Sequence, residues 1–316
     1  MAAPHLIGDI GGTNARFALA ADGVIQGFAA LRVADHADIA AAAKAYLASQ
    51  PNADAIEGVT LAVAGPVEHN RCLLTNSHWL IAPESFAGLV RGPVRLLNDL
   101  EAVAWALPRL RGEDCLDLRT GAAEAGRPML VIAPGTGLGV AALVREPGER
   151  YAAVASEGGH VSFAPEDAAD MALLQYLRAR HGHVSAERVL SGSGLEAIYA
   201  MLSEQAGEAA FKPAPEITAG ALAGSCPRSL ASVRHFCALL GSYAGNMALA
   251  FGARGGVYIG GGIAPRIAGL LKQSAFAERF AAKGRSEAFL RDIPIRLILR
   301  PDAAMLGLLA RQEAAA

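Results

Sequence analysis

Aromatic residues, basic clusters, paired cysteines and long apolar runs are all scarce in this chain of 316 residues. Phe, Trp and Tyr together make up 6%, so the core has to be assembled from Ala, Val, Leu and Ile in closely packed elements. Lys plus Arg number 28 against 30 for Asp plus Glu, a net charge of −2. Without a basic excess or a Lys/Arg run, a phosphate-tracking nucleic-acid face and a polybasic membrane site are both excluded. The longest uncharged stretch, 236–253, is interrupted by Gly241, Ser242, Gly245, Asn246 and Gly252, and is no continuous apolar span of ~20 residues. The opening MAAPHLIGDIGG has no basic n-region, so a signal peptide is not expected there. A cytoplasmic protein with neither membrane nor nucleic-acid partner is expected.

Cys72, Cys115, Cys226 and Cys237 form no C-x-x-C pair and no zinc-type spacing with His, so reduced, structural thiols are expected. Also missing are the P-loop G-x-x-x-x-G-K-[ST], the zinc-hydrolase H-E-x-x-H and the nucleophile elbow G-x-S-x-G. What is present is ample material for a folded core, 53% apolar and 18% charged residues. The length exceeds the roughly 250–300 residues of one core, so two domains are expected.

The glycines carry the organisation. An apolar run LIGDI leads through GGTNAR into a second apolar run, FALA; later MLVIAP (129–134) leads through GTGLG (135–139) into VAALV (140–144). In both places glycines join strand to strand, whereas P-loop and dinucleotide-binding loops join strand to helix. The repeat predicts two related α/β units, each opening with a glycine-tipped hairpin. Further strands are predicted at 59–65, 95–98, 257–259 and 294–299. Helices are predicted at 39–49, at 100–107 up to Pro108, from about 230 to 252, after Pro265, and at the C-terminus after Pro301. A helix over 168–180 is expected to bury Met171, Leu174 and Leu177 on one face and to stop at Gly182.

Glycines at a hairpin tip let backbone N–H groups approach a bulky anion. Asp9, just before Gly11-Gly12-Thr13-Asn14, would repel phosphate unless a cation lay between, so it makes chemical sense as a Mg²⁺ ligand, directly or through water. The plain alternative is an ordinary hairpin with a turn-favouring Asn. A second tip, Gly135-Thr136-Gly137, makes a two-sided grip on one polyphosphate the better reading. Glycines 260–262 after a strand leave room for a base or ribose, or serve helix–strand packing. Asn98-Asp99 falls where a strand passes into a helix, a position suited to a base that accepts an alcohol proton and equally to a helix N-cap. Glu157, His160 and Glu187 complete an acid-rich set. Each alone reads as structural or solvated; together they suit a polyol, because carboxylates accept from hydroxyls and have no use for an anionic substrate.

Eight segments, GDIGGTNARFAL (8–19), LAVAGPV (61–67), TNSHW (75–79), LLNDLEAVAWAL (96–107), IAPGTGLGVA (132–141), EGGHVSFAP (157–165), GHVSAERVLSGSGLEAIY (182–199) and GARGGVYIGGGIAPR (252–266), resemble the bacterial ATP-dependent glucokinases of the non-ROK type, within the actin–hexokinase–heat-shock chaperone superfamily. They follow that family's order over most of the chain, and the cysteine-rich zinc motif of ROK kinases is missing. The resemblance implies an α/β, two-domain ribonuclease H-like (actin-like ATPase) fold with an interdomain cleft, residues 1–110 plus 301–316 forming the smaller α/β domain and 111–300 the larger α+β domain. It implies transfer of the γ-phosphoryl of ATP to the 6-hydroxyl of glucose, with Mg²⁺, in a homodimer. It assigns Asp99 as catalytic base, Asn98, Asp99, Glu157, His160 and Glu187 to glucose, and Gly8, Asp9, Gly11, Gly12, Thr13, Asn14, Gly135, Thr136 and Gly137 to the nucleotide phosphates. Asp9 is the metal ligand and Gly261 lies on the adenosine side. Ser193 and Ser162 depart from the family's usual Pro and Asp, outside the sugar-contact positions. A kinase for another hexose or amino sugar, a chaperone-type ATPase and a sugar-sensing regulator are the alternatives. The ATPase leaves the Asn-Asp and EGGH groups without a purpose, and the regulator calls for a helix-turn-helix segment.

Overall fold

The computed structural model describes residues 4–51, 56–75, 77–146, 148 and 150–314. Asn76 of the TNSHW segment lies outside them. The chain divides into two compact units, Met1–Leu110 with Pro301–Ala316, and Arg111–Arg300.

In the first unit, β1 (His5–Ile10), β2 (Asn14–Ala21) and β3 (Val24–Arg32) form an antiparallel meander. Helix α1 (Ile39–Ala48) follows; Asp38 starts it by accepting the Ala41 N–H at 2.7 Å. Then come β4 (Val59–Val63), a short β5 (Cys72–Leu73) and β6 (Leu80–Ile81) ribbon, β7 (Val94–Asn98) and α2 (Asp99–Ala106). The sheet order is β3-β2-β1-β4-β7, with β1, β4 and β7 parallel. Phe17 stacks on Tyr46 of α1, ring centroids 5.4 Å apart, over a core that includes Leu6, Ile10 and Trp79.

The second unit repeats this order. It contains β8 (Cys115–Arg119), β9 (Met129–Pro134), β10 (Leu138–Arg145) and β11 (Tyr151–Ser156), then α3 (Ala168–His181), α4 (Gly192–Gln205), α5 (Ala214–Leu222) and α6 (Pro227–Phe251). After β12 (Gly256–Ile259) come α7 (Ala268–Gln273), α8 (Phe276–Ala281), α9 (Glu287–Arg291) and β13 (Ile295–Ile298). Its sheet runs β11-β10-β9-β12-β13-β8. The first five strands match the first unit's sheet in order and in the sense of every pairing, so the expected repeat is present as topology. The last helix, α10 (Ala303–Glu313), belongs to the first unit and packs against α2, β1 and β4.

Among the described residues no helix is long and apolar enough to cross a membrane. The small residues of the uncharged stretch have a packing reason. A Cβ on Gly241 would lie 2.1 Å from the Phe276 carbonyl oxygen, and one on Gly245 would lie 2.3 Å from that of Phe280. The glycines, four residues apart on one face of α6, let α8 lie directly on its backbone. Helix α6 begins three residues before the expected start, because Pro227 suits a first helical position. The chain after the 260–262 glycines first makes a 3₁₀ turn, Ala264–Ile267, and only then α7.

The buried face of α3 differs from expectation. Asp170, Leu173 and Leu177 point inward, while Met171 is exposed and Leu174 only partly covered. Asp170 is buried because its charge is answered: Oδ1 faces His235 Nε2 at 2.9 Å, and Oδ2 accepts the Glu166 N–H and an Arg279 guanidinium N–H. Burial pushes this carboxyl up, but His235, the Glu166 N–H and Arg279 outweigh that and hold it at about 2.

Candidate active site

Three parallel strands of the first unit end level with one another. Ile10 of β1 pairs with Val63 of β4, and Val63 with Asn98 of β7. Their carboxyl ends therefore place the Gly11–Asn14 turn, the Gly65 loop and the Asn98-Asp99 junction along one edge, where α/β sheets bind ligands. The tip is closed by the Gly11 N–H donating to the Asn14 carbonyl at 2.9 Å; Thr13 at its apex is exposed. Gly8, grouped with the tip in the sequence, is buried inside β1, where a Cβ would lie 2.8 Å from Leu61 Cδ2.

Asp9 and Arg16 are cross-strand partners in the hairpin register, and Arg16 Nη1 donates to Asp9 Oδ2 at 2.9 Å. The hairpin spacing alone could have exposed this pair, which the sequence reading missed. Burial raises the Asp9 pKa against the pull of Arg16. Among the described residues no three His, Cys, Asp or Glu side chains are grouped to hold a metal. One carboxylate beside a glycine-turned hairpin tip still fits Mg²⁺, which takes one or two carboxylates and completes its shell with substrate phosphates and water.

Helix α2 is capped by Asn98 rather than Asp99. Asn98 Oδ1 accepts the Leu100 N–H at 3.0 Å and its Nδ2 donates to the Gly65 carbonyl at 3.4 Å. Asp99 is the first helical residue, with Oδ1 accepting the same Leu100 N–H at 2.8 Å. It stays open to solvent, yet surrounding protein thins its hydration. That desolvation, reinforced by the negative charge of Asp9, outweighs the stabilising Leu100 N–H and pushes the carboxyl above its ordinary value.

In the second unit β9, Gly135–Gly137 and β10 make the other tip, held by the Gly135 N–H donating to the Gly137 carbonyl at 2.8 Å. Gly192, the first residue of α4, donates its N–H to the Gly135 carbonyl at 2.9 Å. Thr136 is exposed. Gly261 follows β12 at φ +79°, and a Cβ there would lie 2.4 Å from the Pro134 carbonyl oxygen, so only glycine lets this turn close on the end of β9.

Glu157 and His160 flank a 3₁₀ turn, Gly158–His160, whose middle residue packs against the Leu138 carbonyl. Their side chains are 82% and 60% exposed, and His160 Nε2 stands 3.6 Å from Glu157 Oε2. That is beyond hydrogen-bond reach, so neither is a satisfied core group. Glu187 ties this turn to the tip. Its backbone N–H donates to the Gly159 carbonyl at 2.8 Å, and its Oε2 accepts the Leu138 N–H at 3.0 Å. A Cβ on Gly137 would fall 2.5 Å from the same Oε2. This link was not visible in the sequence, where the three segments are far apart. Ser162 and Ser193, the departures from the family pattern, bond locally: Ser162 Oγ to His183 Nε2 at 3.1 Å and Ser193 Oγ to Ser191 Oγ at 3.0 Å.

Two sheets of one topology, each with a glycine-turned hairpin at its first strand, make the fold that of the actin-like ATPases, in the version used by sugar kinases. A ROK family glucokinase from Streptomyces griseus, solved with glucose and AMPPNP, shares it with a TM-score of 0.65 over 98% of this chain and 99% of that one, at 20% identity. A crystal structure of glucokinase from an Antarctic psychrotroph aligns at a TM-score of 0.92 and 36% identity, covering 99% of both chains. The glucokinase of Chromobacterium violaceum is 44% identical over 311 residues, 97% of this chain and 88% of its own. A sequence model of the glucokinase family matches residues 6–314. The chain belongs to the glucokinase family.

Proposed function

We propose that the protein transfers the γ-phosphoryl group of ATP to the 6-hydroxyl of glucose, giving glucose 6-phosphate and ADP, with Asp99 as the base. The observation that carries this reading is Glu187. One residue joins the solvent-facing Glu157/His160 turn to the Gly135–Gly137 tip, so groups that accept from hydroxyls are built onto the glycine turn that this reading gives to the phosphates. That pairing fits a neutral polyol beside a polyphosphate, and it has no use in an ATPase that binds protein.

Phosphoryl transfer passes through a loose transition state, so positioning and charge neutralisation supply most of the acceleration. Asp99 accepts the 6-hydroxyl as a hydrogen-bond donor and takes its proton late, once the P–O bond has begun to form. Its raised pKa makes it a better base than an ordinary carboxylate. Asn98, Glu157, His160 and Glu187 bond the hydroxyls away from C6. An epimer that leaves one of these groups unpaired loses about 1–3 kcal/mol. The two glycine tips hold the phosphates, with Gly261 on the nucleoside side. Asp9 would hold Mg²⁺, which when bound neutralises charge on the phosphate oxygens. The same reading carries a cytoplasmic homodimer, which light scattering in solution would check.

The test is a coupled assay with ATP, Mg²⁺ and a panel of hexoses, run beside Asp99→Asn. General-base help is worth about 10²–10⁴-fold, so the variant should lose at least a hundredfold in kcat while glucose binding changes only a few-fold. A variant retaining more than a tenth of kcat would remove Asp99 from the role. Turnover with a different hexose would keep the mechanism and change the substrate, and ADP release without any sugar would overturn the reading.

A further inference from the structure

Cys226, one of the four thiols expected to be structural, takes no part in the candidate active site. It is the N-cap of α6, a helix of 25 residues, and is partly exposed. Lys212 Nζ stands 3.8 Å from its Sγ. The groups facing this sulfur are donors. The Ser229 hydroxyl and N–H come from the first turn of α6, the Lys212 ammonium from the segment before α5, and the Tyr199 hydroxyl from α4. Ser229 is a second, independent sign. Its side chain is fully buried and its Oγ finds no hydrogen-bond partner, so a hydroxyl has been sealed in beside a sulfur that can use it fully only as an anion. Tyr199 carries cations on its ring, Lys212 at 5.5 Å and Arg228 at 5.8 Å from the centroid. Glu208, the acid nearby, is taken up by Arg228 at 2.8 Å. A helix N-terminus, an ammonium and the unshared Ser229 hydroxyl favour thiolate over thiol.

We propose that Cys226 is a covalent-modification site, a nucleophilic sulfur that reacts with hydrogen peroxide and soft electrophiles ahead of the chain's other cysteines. In the peroxide reaction a thiolate lone pair attacks one peroxide oxygen. The S–O bond forms as the O–O bond breaks, and hydroxide leaves. Cys226 becomes a sulfenic acid, oxidised by two electrons, and the peroxide is reduced to hydroxide and, with one proton, water. The other three thiols make an internal comparison. Cys72 and Cys237 are buried. Burial pushes Cys115 up to about 11 and Cys237 up to about 12. The Ser229 hydroxyl, the Ser229 N–H and Lys212 hold Cys226 at about 7.

The experiment pulses the folded full-length protein with iodoacetamide from pH 5 to pH 10 and follows each cysteine by peptide mass spectrometry. Cys226 should label at least about tenfold faster than any other cysteine at pH 7, with a half-maximal rate near neutrality. Lys212→Met and Ser229→Ala should each move that midpoint upward. Cys226→Ser should abolish the fast labelling and keep glucose-dependent ADP formation. After a peroxide pulse, a dimedone adduct should form on Cys226. A midpoint in the ordinary thiol range, equal labelling of Cys115, no response to Lys212→Met, or no dimedone adduct would each overturn the proposal.

Discussion

Gly307→Ala sets two rules against each other. Gly307 lies inside α10, where alanine is worth about 1 kcal/mol more than glycine by helix propensity, so a reading of the helix alone predicts stabilisation. The tertiary structure predicts the reverse. A Cβ on Gly307 would lie 1.7 Å from the Ala102 carbonyl oxygen and 3.0 Å from the Ala106 backbone nitrogen, both in α2. To regain ordinary contact, α10 and α2 must separate by roughly 1.5 Å or more. Overpacking of this kind costs about 1–3 kcal/mol, and here it acts on backbone, which cannot turn aside as a flexible side chain can. A net loss of up to about 2 kcal/mol is expected, read by urea denaturation. Because α2 opens with Asn98 and Asp99, its displacement should also reach the reaction. A shift near 1 Å costs up to about a hundredfold in rate, so kcat should fall at least about tenfold. Leu308→Ala is the control. Leu308 is fully buried in the same helix, and its truncation costs about 2–5 kcal/mol by leaving space, not by pushing on α2; kcat per folded molecule should stay within about threefold. A Gly307→Ala protein more stable than wild type, with unchanged kcat, would refute the reasoning.

The remaining predictions concern charge. Since desolvation and Asp9 raise the Asp99 pKa, kcat/KM should fall on the acid side through an apparent pKa above the ordinary carboxylate value of about 4; a limb centred at or below that value would contradict the assignment. Glu187→Ala should raise KM for both glucose and ATP, because it removes a hydroxyl acceptor and frees the Leu138 N–H. Glu187→Gln keeps an acceptor for that N–H and should disturb glucose alone, so identical profiles for the two variants would dissolve the proposed link. Asp170 is held at about 2, below its unfolded value, so its contribution is present above pH 4 and is lost as pH falls toward 2. A gap of about two units is worth about 2–3 kcal/mol. Asp170→Asn should remove that much at neutral pH and flatten the acid-denaturation curve between pH 4 and 2; an unchanged acid limb would count against the buried ion cluster.

Local chemistry is what the sequence displayed. A glycine tip between two apolar runs is a property of a dozen neighbouring residues, so both hairpins were legible, and with them the repeat. The Asn98-Asp99 junction was legible as a strand passing into a helix, although which residue caps it depends on which side chain reaches the Leu100 N–H. The inward face of α3 was misread because its centre is a charge. Asp170 can be buried only because Arg279 arrives from 109 residues further on, and no pattern within the helix announces that. The same holds for Gly241 and Gly245 beneath α8, for Gly307 against α2, and for Glu187 between the Gly159 carbonyl and the Leu138 N–H. Secondary structure and turn chemistry follow from short-range sterics and periodicity, which the sequence carries in itself. Close backbone approach, a buried ion cluster and a shared hydrogen-bond acceptor exist only once segments distant in the chain have been packed together, so only the tertiary structure decided them.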